Sequence, residues 1–281
     1  MKRRLRWRRV RSGEVETIAG RLASWPAPAG GAVRHMFPLS TIETMGPDAL
    51  RIASDESCWA VAVVFPGRLL IPCGDAEAVA SAGPPTRRWR LLVGDVAAGD
   101  AILTKSGADP ALIVHDQRFL SIDHDRVPDE TEIADPGLRR AGLEDLDALA
   151  RLAVRLHVDD EFGPDPGPGG LRSYRQRLEQ TVRQGMVWCV GPPGAPVCKV
   201  ERSVSSHRWG VQLAGIVVDR DQRGAGLGTA AVATAVRQAL RDGPSSRPVS
   251  LHVRAQNTAA LRAYHRAGFL DRESWRLAVR S

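Results

Sequence analysis

Lysine is scarce in this 281-residue sequence: Lys2, Lys105 and Lys199 are the only ones among 39 basic residues, so arginine carries nearly all the positive charge. Cysteine is almost as rare. Cys58, Cys73, Cys189 and Cys198 lie far apart with no C-x-x-C spacing, which argues against a zinc ribbon or a disulfide scaffold and for reduced, mostly buried thiols. No metal site is expected. No apolar run approaches the roughly 18–20 residues that span a bilayer, and the basic start, Met1 to Gly13, is followed by no apolar stretch of a secretory signal. The expected location is the cytoplasm, with no membrane partner.

What is present suffices for a buried core. The chain is 43% hydrophobic and 25% charged, too apolar for a disordered polymer and long enough for one large domain or two of roughly 130–150 residues. The net charge of +7 resides in an arm: residues 1–11 hold Lys2, Arg3, Arg4, Arg6, Arg8, Arg9 and Arg11 with no acid, and the rest is balanced. Within the rest, residues 121–170 carry 13 acids against 5 bases, and residues 201–281 carry 13 bases against 6 acids. The C-terminal part suits an anionic ligand and the middle segment a cationic one.

Proline and glycine clusters at 26–31, 83–85, 163–170, 191–196 and 243–248 read as loops. The polar, acidic run at 128–137 reads as a linker, so the expected division is a basic arm at 1–12, a first half at 13–127 and a second half at 138–281. In the first half, 58–65, 69–72, 89–93, 112–115 and 119–122 read as strands, and no phosphate loop or catalytic cluster accompanies them. In the second half, Leu146, Leu149, Ala153 and Leu156 mark an amphipathic helix. A helix at 171–184 and strands at 186–190, 197–200 and 211–218 follow. A helix after 228, a strand at 249–253, a helix at 258–266 and a strand at 275–279 complete the order α-α-β-β-β-α-β-α-β. This is an α/β class chain, with a mixed central sheet flanked by helices.

The turn Arg223-Gly224-Ala225-Gly226-Leu227-Gly228-Thr229 joins a strand to a helix. A helix N-terminus presents free N–H groups and the positive end of a dipole, and glycines let the backbone close around phosphates. A Walker A loop requires Gly-Lys-Ser/Thr, whereas Gly228 is followed by Thr-Ala. A dinucleotide fingerprint requires a third glycine where Thr229 stands. What remains is Arg-x-x-Gly-x-Gly after Val218-x-x-x-x-Arg223. It is followed by Leu251-His252-Val253-Arg254-Ala255-Gln256-Asn257 and then Tyr264-His265-Arg266-Ala267-Gly268-Phe269.

Two such signatures in order resemble the GNAT acyltransferases, over residues 136–281. Asp116-Gln117, the run Asp160 to Pro166, Tyr174-Arg175 and Cys198-Lys199-Val200-Glu201 are similar to actinobacterial two-domain GNAT proteins whose first half is a degenerate GNAT-like fold. The resemblance implies a tandem GNAT-like chain. It also implies transfer of an acyl group, acetyl first, from coenzyme A to a small-molecule or peptide amine by direct attack in a ternary complex. It gives Ile216, Val217 and Val218 a backbone role along the pantetheine, and Arg223, Gly224, Ala225, Gly226, Leu227, Gly228 and Thr229 a role at the diphosphate. Tyr264 matches the acid that protonates the departing thiolate. His252 stands where several relatives place a glutamate base, with Asp160, Glu161 and Glu201 as rivals. Asn257 either touches coenzyme A or caps the following helix. The first half lacks both signatures, so one coenzyme A site per chain is expected, with that half walling the acceptor pocket. The alternative is a GNAT fold that takes its acyl group from aminoacyl-tRNA. Its argument is the arm Lys2–Arg11, where Trp7 among arginines suits RNA. A monomer and a homodimer are both compatible with the sequence.

Overall fold

The computed structural model describes residues 4–65, 69–107, 109–242 and 248–280. Lys2 and Arg3 of the basic arm lie outside them, as does most of the expected loop at 243–248. The chain divides into two units, one of residues 1–119 with 272–281 and one of residues 120–271. Among the described residues no helix is long and apolar enough to cross a membrane.

In the first unit the elements are β1 (Arg8–Arg9), α1 (Val15–Ala23), α2 (Gly31–Arg34), α3 (Met36–Met45), β2 (Leu50–Ser54), β3 (Trp59–Phe65), β4 (Leu69–Gly74), α4 (Ala76–Ala82), β5 (Leu91–Asp95), α5 (Val96–Ser106) and most of β6 (Leu112–Ile122). Strands β1 to β4 pair antiparallel in sequence order, and β4 pairs parallel with β5. The mixed sheet has helices packed on it, and its core gathers Leu70, Trp89, Leu92 and Ile102. The arm is part of this unit. Leu5 and Val10 are buried, and β1 pairs with β2. Trp7 packs against the core and its indole donates to the Gly83 carbonyl at 2.5 Å. Arg8 is fixed by Glu14, through two bonds of 2.8 and 2.6 Å. The expected strands at 112–115 and 119–122 are one strand, because its inward side is partly polar: His115 and Gln117 are buried while Val114 is exposed.

The second unit runs β7 (Arg139–Arg140), α6 (Leu146–Asp159), α7 (Gly167–Arg183), β8 (Val187–Val190), β9 (Cys198–Ser206), β10 (Gly210–Val218), α8 (Leu227–Arg241), β11 (Val249–Arg254) and α9 (Thr258–Arg266), after which β12 (Leu270–Arg280) returns to the first unit. From α6 on, this is the order read from the sequence. Strands β7 to β10 pair antiparallel, and β10 pairs parallel with β11. Helix α6 turns Leu146, Leu149, Ala150 and Ala153 onto Leu178 and Val182 of α7 and onto β8. Helix α8 buries mostly alanines and valines (Ala231, Val232, Ala233, Ala235, Val236), small enough for its axis to lie close to the sheet.

One buried carboxylate ties this unit's start together. Asp145 is fully buried and accepts from Arg139 at 2.8 and 2.9 Å, from Gly142 N at 2.8 Å and from Gly194 N at 2.9 Å. These donors, Arg139 foremost, hold its pKa at about 2, against an ordinary 3.8. A carboxylate with a depressed folded pKa stabilises the fold above its unfolded pKa, and that contribution is lost as pH falls through the folded value. Between about pH 4 and pH 2 the wild type therefore loses about 2 kcal/mol from this group. Asp145→Asn lacks this acid-side loss and is destabilised at neutral pH by about 2–4 kcal/mol, because Arg139 keeps its charge without its partner. Urea unfolding at a series of pH values measures both effects.

Candidate active site

The site begins where two parallel strands part. Residues Val211, Gln212 and Leu213 of β10 are registered with Val249, Ser250 and Leu251 of β11, and among the described residues no pair between these strands follows. β10 continues to Val218 against β9 alone, with a register shift between Ala214 and Val217 that marks a bulge. The bulge has a close neighbour: a Cβ on Gly215 would lie 2.8 Å from both Lys199 Nζ and Glu201 Oε1. Lys199 is fully buried and paired with Glu201. Burial works against both charges. It lowers the Lys199 pKa, while Lys199 and Arg177 hold Glu201 below the ordinary carboxylate range.

A cleft of about 720 Å³ opens along the free edge of β10. Its walls are Leu156 and Asp159–Glu161 at the end of α6, Ile216–Val218, the turn before α8 and that helix's first residues, Arg254 at the end of β11 with Gln256 and Asn257 after it, and one side of α9 including Tyr264. The turn needs its glycines. Gly224 has φ of +88° and Gly226, the N-cap of α8, φ of +84°, both in the left-handed region. The first bond of the helix runs from Ala230 N to Gly226 O at 3.0 Å. The amides of Leu227, Gly228 and Thr229 thus precede the helix's own ladder and stand in the cleft wall. Asp159 braces the turn: it accepts from Arg223 at 2.7 Å and Arg220 at 2.6 Å, and Arg223 also donates to the Val218 carbonyl at 2.9 Å. Burial opposes the Asp159 charge, yet the two arginines hold its pKa below the ordinary value.

Most of the expected residues meet here. Ile216, Val217, Val218, Arg223, Gly224, Gly226, Leu227, Gly228, Thr229, Asn257, Tyr264, Asp160 and Glu161 all line the cleft, whereas Ala225, within the turn, does not. Asn257 caps α9, its side chain accepting from Ala260 N at 3.1 Å. Tyr264 is only 7% exposed. Burial, reinforced by the negative charge of Asp160, drives its pKa well above 10. His252 requires a correction. It sits on β11 but does not line the cleft, and burial pushes its pKa down to about 3. An imidazole that holds a proton so weakly is a poor acceptor for the proton of an ammonium group. The sequence reading also passed over Asp159 and Arg254. Arg254 stands within the quoted strand motif and carries no role there. Asp159 lies 64 residues from Arg223, and no local pattern announces such a pair.

Residues 179–269 match the model of the Acetyltransferase (GNAT) family. No curated protein matches the chain. A GCN5-related N-acetyltransferase from Sphaerobacter thermophilus is 16% identical over 99% of this chain and 96% of its own, with a TM-score of 0.59. An acetyltransferase of the GNAT family from Colwellia psychrerythraea is 11% identical over 98% and 99%, with a TM-score of 0.55. A tandem GNAT protein from the clavulanic acid biosynthesis pathway is 15% identical over 98% of each chain, with a TM-score of 0.52. At these identities the likeness is one of fold. Residues 179–269 of the second unit thus match the GNAT family model, and the chain as a whole has the fold of GNAT acetyltransferase structures, a tandem GNAT protein among them.

Proposed function

We propose that the cleft binds an acyl-coenzyme A, acetyl-coenzyme A first, and passes its acyl group directly to an amine. The observation that carries this reading is the meeting of two sets of backbone groups at one cleft: the free edge of β10 at Ile216–Val218 and the first-turn amides of α8. The residues fit such a donor. A strand edge pairs with the amides of an extended pantetheine, as an added strand would. The amides of Leu227, Gly228 and Thr229 suit a diphosphate. When bound, the thioester supplies the activated acyl carbon.

Tyr264 acts as the acid, its protonated phenol giving a proton to the departing sulfur. Asp160 and Glu161, both in the cleft wall, take the amine's proton, a role we assign to them in place of His252. No cysteine lines the cleft among the described residues, and burial pushes the Cys198 thiol up to about 12. A nucleophilic thiolate is therefore not at hand, which favours direct transfer over an acyl-enzyme. The tRNA-dependent alternative gains nothing from the arm, because Trp7 is packed into the first unit and held by Gly83.

Calorimetry with acetyl-coenzyme A gives one site per chain. Folded protein that binds none at millimolar concentration overturns the reading. Tyr264→Phe lowers kcat by about 10²–10⁴-fold at nearly unchanged donor affinity. His252→Ala keeps the acidic limb of the pH–rate profile, whereas Asp160→Asn or Glu161→Gln displaces or removes it. The chain has two tyrosines, and burial raises the pKa of both Tyr174 and Tyr264. At pH 10, where a free phenol is half ionised, near-ultraviolet absorbance of the folded protein should therefore report well under one tyrosinate per chain.

A further inference from the structure

Helix α6 ends in a way that glycine ordinarily serves. Glu161 N bonds to Val158 O at 3.1 Å and Phe162 N to His157 O at 3.0 Å. This pair of bonds places Glu161 at the left-handed position of a helix C-terminus. Glu161 has φ of +55°, and among the described residues no other non-glycine residue has a positive φ. A side chain kept at a strained position of a cleft wall is a candidate for function.

Its partner is Arg254. Glu161 Oε2 lies 3.0 Å from Arg254 Nη2, and both residues line the cleft. The two ends are unequal: the Arg254 side chain is 12% exposed and that of Glu161 69%. Arg254 Nε is buried with no hydrogen-bond partner among the described residues. A nearly buried guanidinium thus meets a solvated carboxylate through one arm of its fork and leaves another donor unmet. Exposed carboxylates form weak, exchangeable pairs. A ligand carboxylate entering the cleft engages Nε and Nη2 together, the stronger bidentate geometry. Glu161, once displaced, stands next to Asp160, so that two carboxylates line the same stretch of the cleft.

We propose that the acceptor carries a carboxylate close to its amine, as a free amino acid does: the carboxylate takes Arg254 from Glu161, and the ammonium group docks between Asp160 and Glu161. This rests on the acyl-transfer reading for what then happens to the amine. The amine nitrogen bonds to the acyl carbon as the carbon–sulfur bond breaks. One carboxylate of the Asp160–Glu161 pair takes a proton from the ammonium group and frees its lone pair, Tyr264 gives its proton to the departing sulfur, and the second proton shed by the nitrogen restores the Tyr264 phenol. Exchange with a zwitterion gives Arg254 a new carboxylate and the displaced Glu161 an ammonium group.

The test compares the twenty amino acids with their carboxamides, which keep the amine and lose the carboxylate. Thiol release from acetyl-coenzyme A reads turnover, and thermal shift with coenzyme A present reads binding without turnover. Expected is at least one amino acid whose kcat/KM and thermal shift exceed those of its amide, kcat/KM by about 10–100-fold. Arg254→Met, compared at saturating acetyl-coenzyme A, abolishes the preference of acid over amide, and Arg254→Lys, a point charge without a fork, retains a fraction of it. Equal responses to acid and amide overturn the proposal, as does the absence of any response to amino acids by protein that binds acetyl-coenzyme A. If acetyl-coenzyme A itself does not bind, the acyl-transfer reading fails instead, and an acid-over-amide thermal shift lost in Arg254→Met still identifies the carboxylate site.

Discussion

Backbone amides and carbonyls in a sheet need partners, and β10 loses one row of them where β11 departs after Leu213. Everything at the candidate site follows from that parting. A strand edge inside a fold is normally covered, since an open row of donors and acceptors invites pairing. Here the edge faces a cleft instead, and the bulge between Ala214 and Val217 re-aims its groups. The strand keeps its place through the antiparallel ladder to β9, whose Lys199–Glu201 pair lies so close to Gly215 that a Cβ there would force that pair to shift. The turn at its end reverses through two left-handed glycines, and α8 then begins with its amides directed at the same space.

Electrostatics inside the cleft divide its groups by whether burial is compensated. Burial and the neighbouring Asp160 carboxylate both disfavour the ionised form of Tyr264, so it stays a phenol. His252, on β11 and outside the cleft lining, stays a neutral imidazole for the same reason, desolvation of its charged state. Asp159 is the contrary case: two arginines outweigh its burial and keep it ionised, which in turn fixes Arg223 at the turn. A protonated phenol and a fixed carboxylate therefore arise in the lining of one cleft from different balances of burial and neighbouring charge.

The second unit was legible in the sequence where structure is set by near neighbours. The glycine turn, the cap at Asn257 and the helix holding Tyr264 each lie within a few residues of the signals that announce them. The order of elements from α6 onward followed from hydrophobic spacing for the same reason. Less was legible where partners are remote or where buried faces are polar. The break in β6 was read into the sequence because His115 and Gln117 look like surface residues. The arm looked free because its apolar residues, Leu5, Trp7 and Val10, are outnumbered by arginines. Yet those three are buried or half-buried while Arg4, Arg6, Arg8, Arg9 and Arg11 remain at the surface. His252 was placed by motif alone, and a motif does not say whether a side chain at the end of a diverging strand reaches the space between the strands.

Charge that is segregated along the chain becomes juxtaposed in space. The acidic segment at 121–170 contributes Asp159, Asp160 and Glu161, and the basic segment after 200 contributes Arg220, Arg223 and Arg254. Folding brings the two together: Asp159 with Arg220 and Arg223, Glu161 with Arg254. These pairs differ in their remaining capacity. Asp159 spends both carboxylate oxygens on its two arginines and is itself largely buried, so it serves the architecture of the turn. Glu161 is mostly solvated, at a backbone position that disfavours it, and grips an arginine that still has a donor to offer. The first arrangement is closed by two strong partners and the second holds one exposed carboxylate on one arm of a guanidinium, so the same complementarity of segments yields pairs of unequal strength within one cleft.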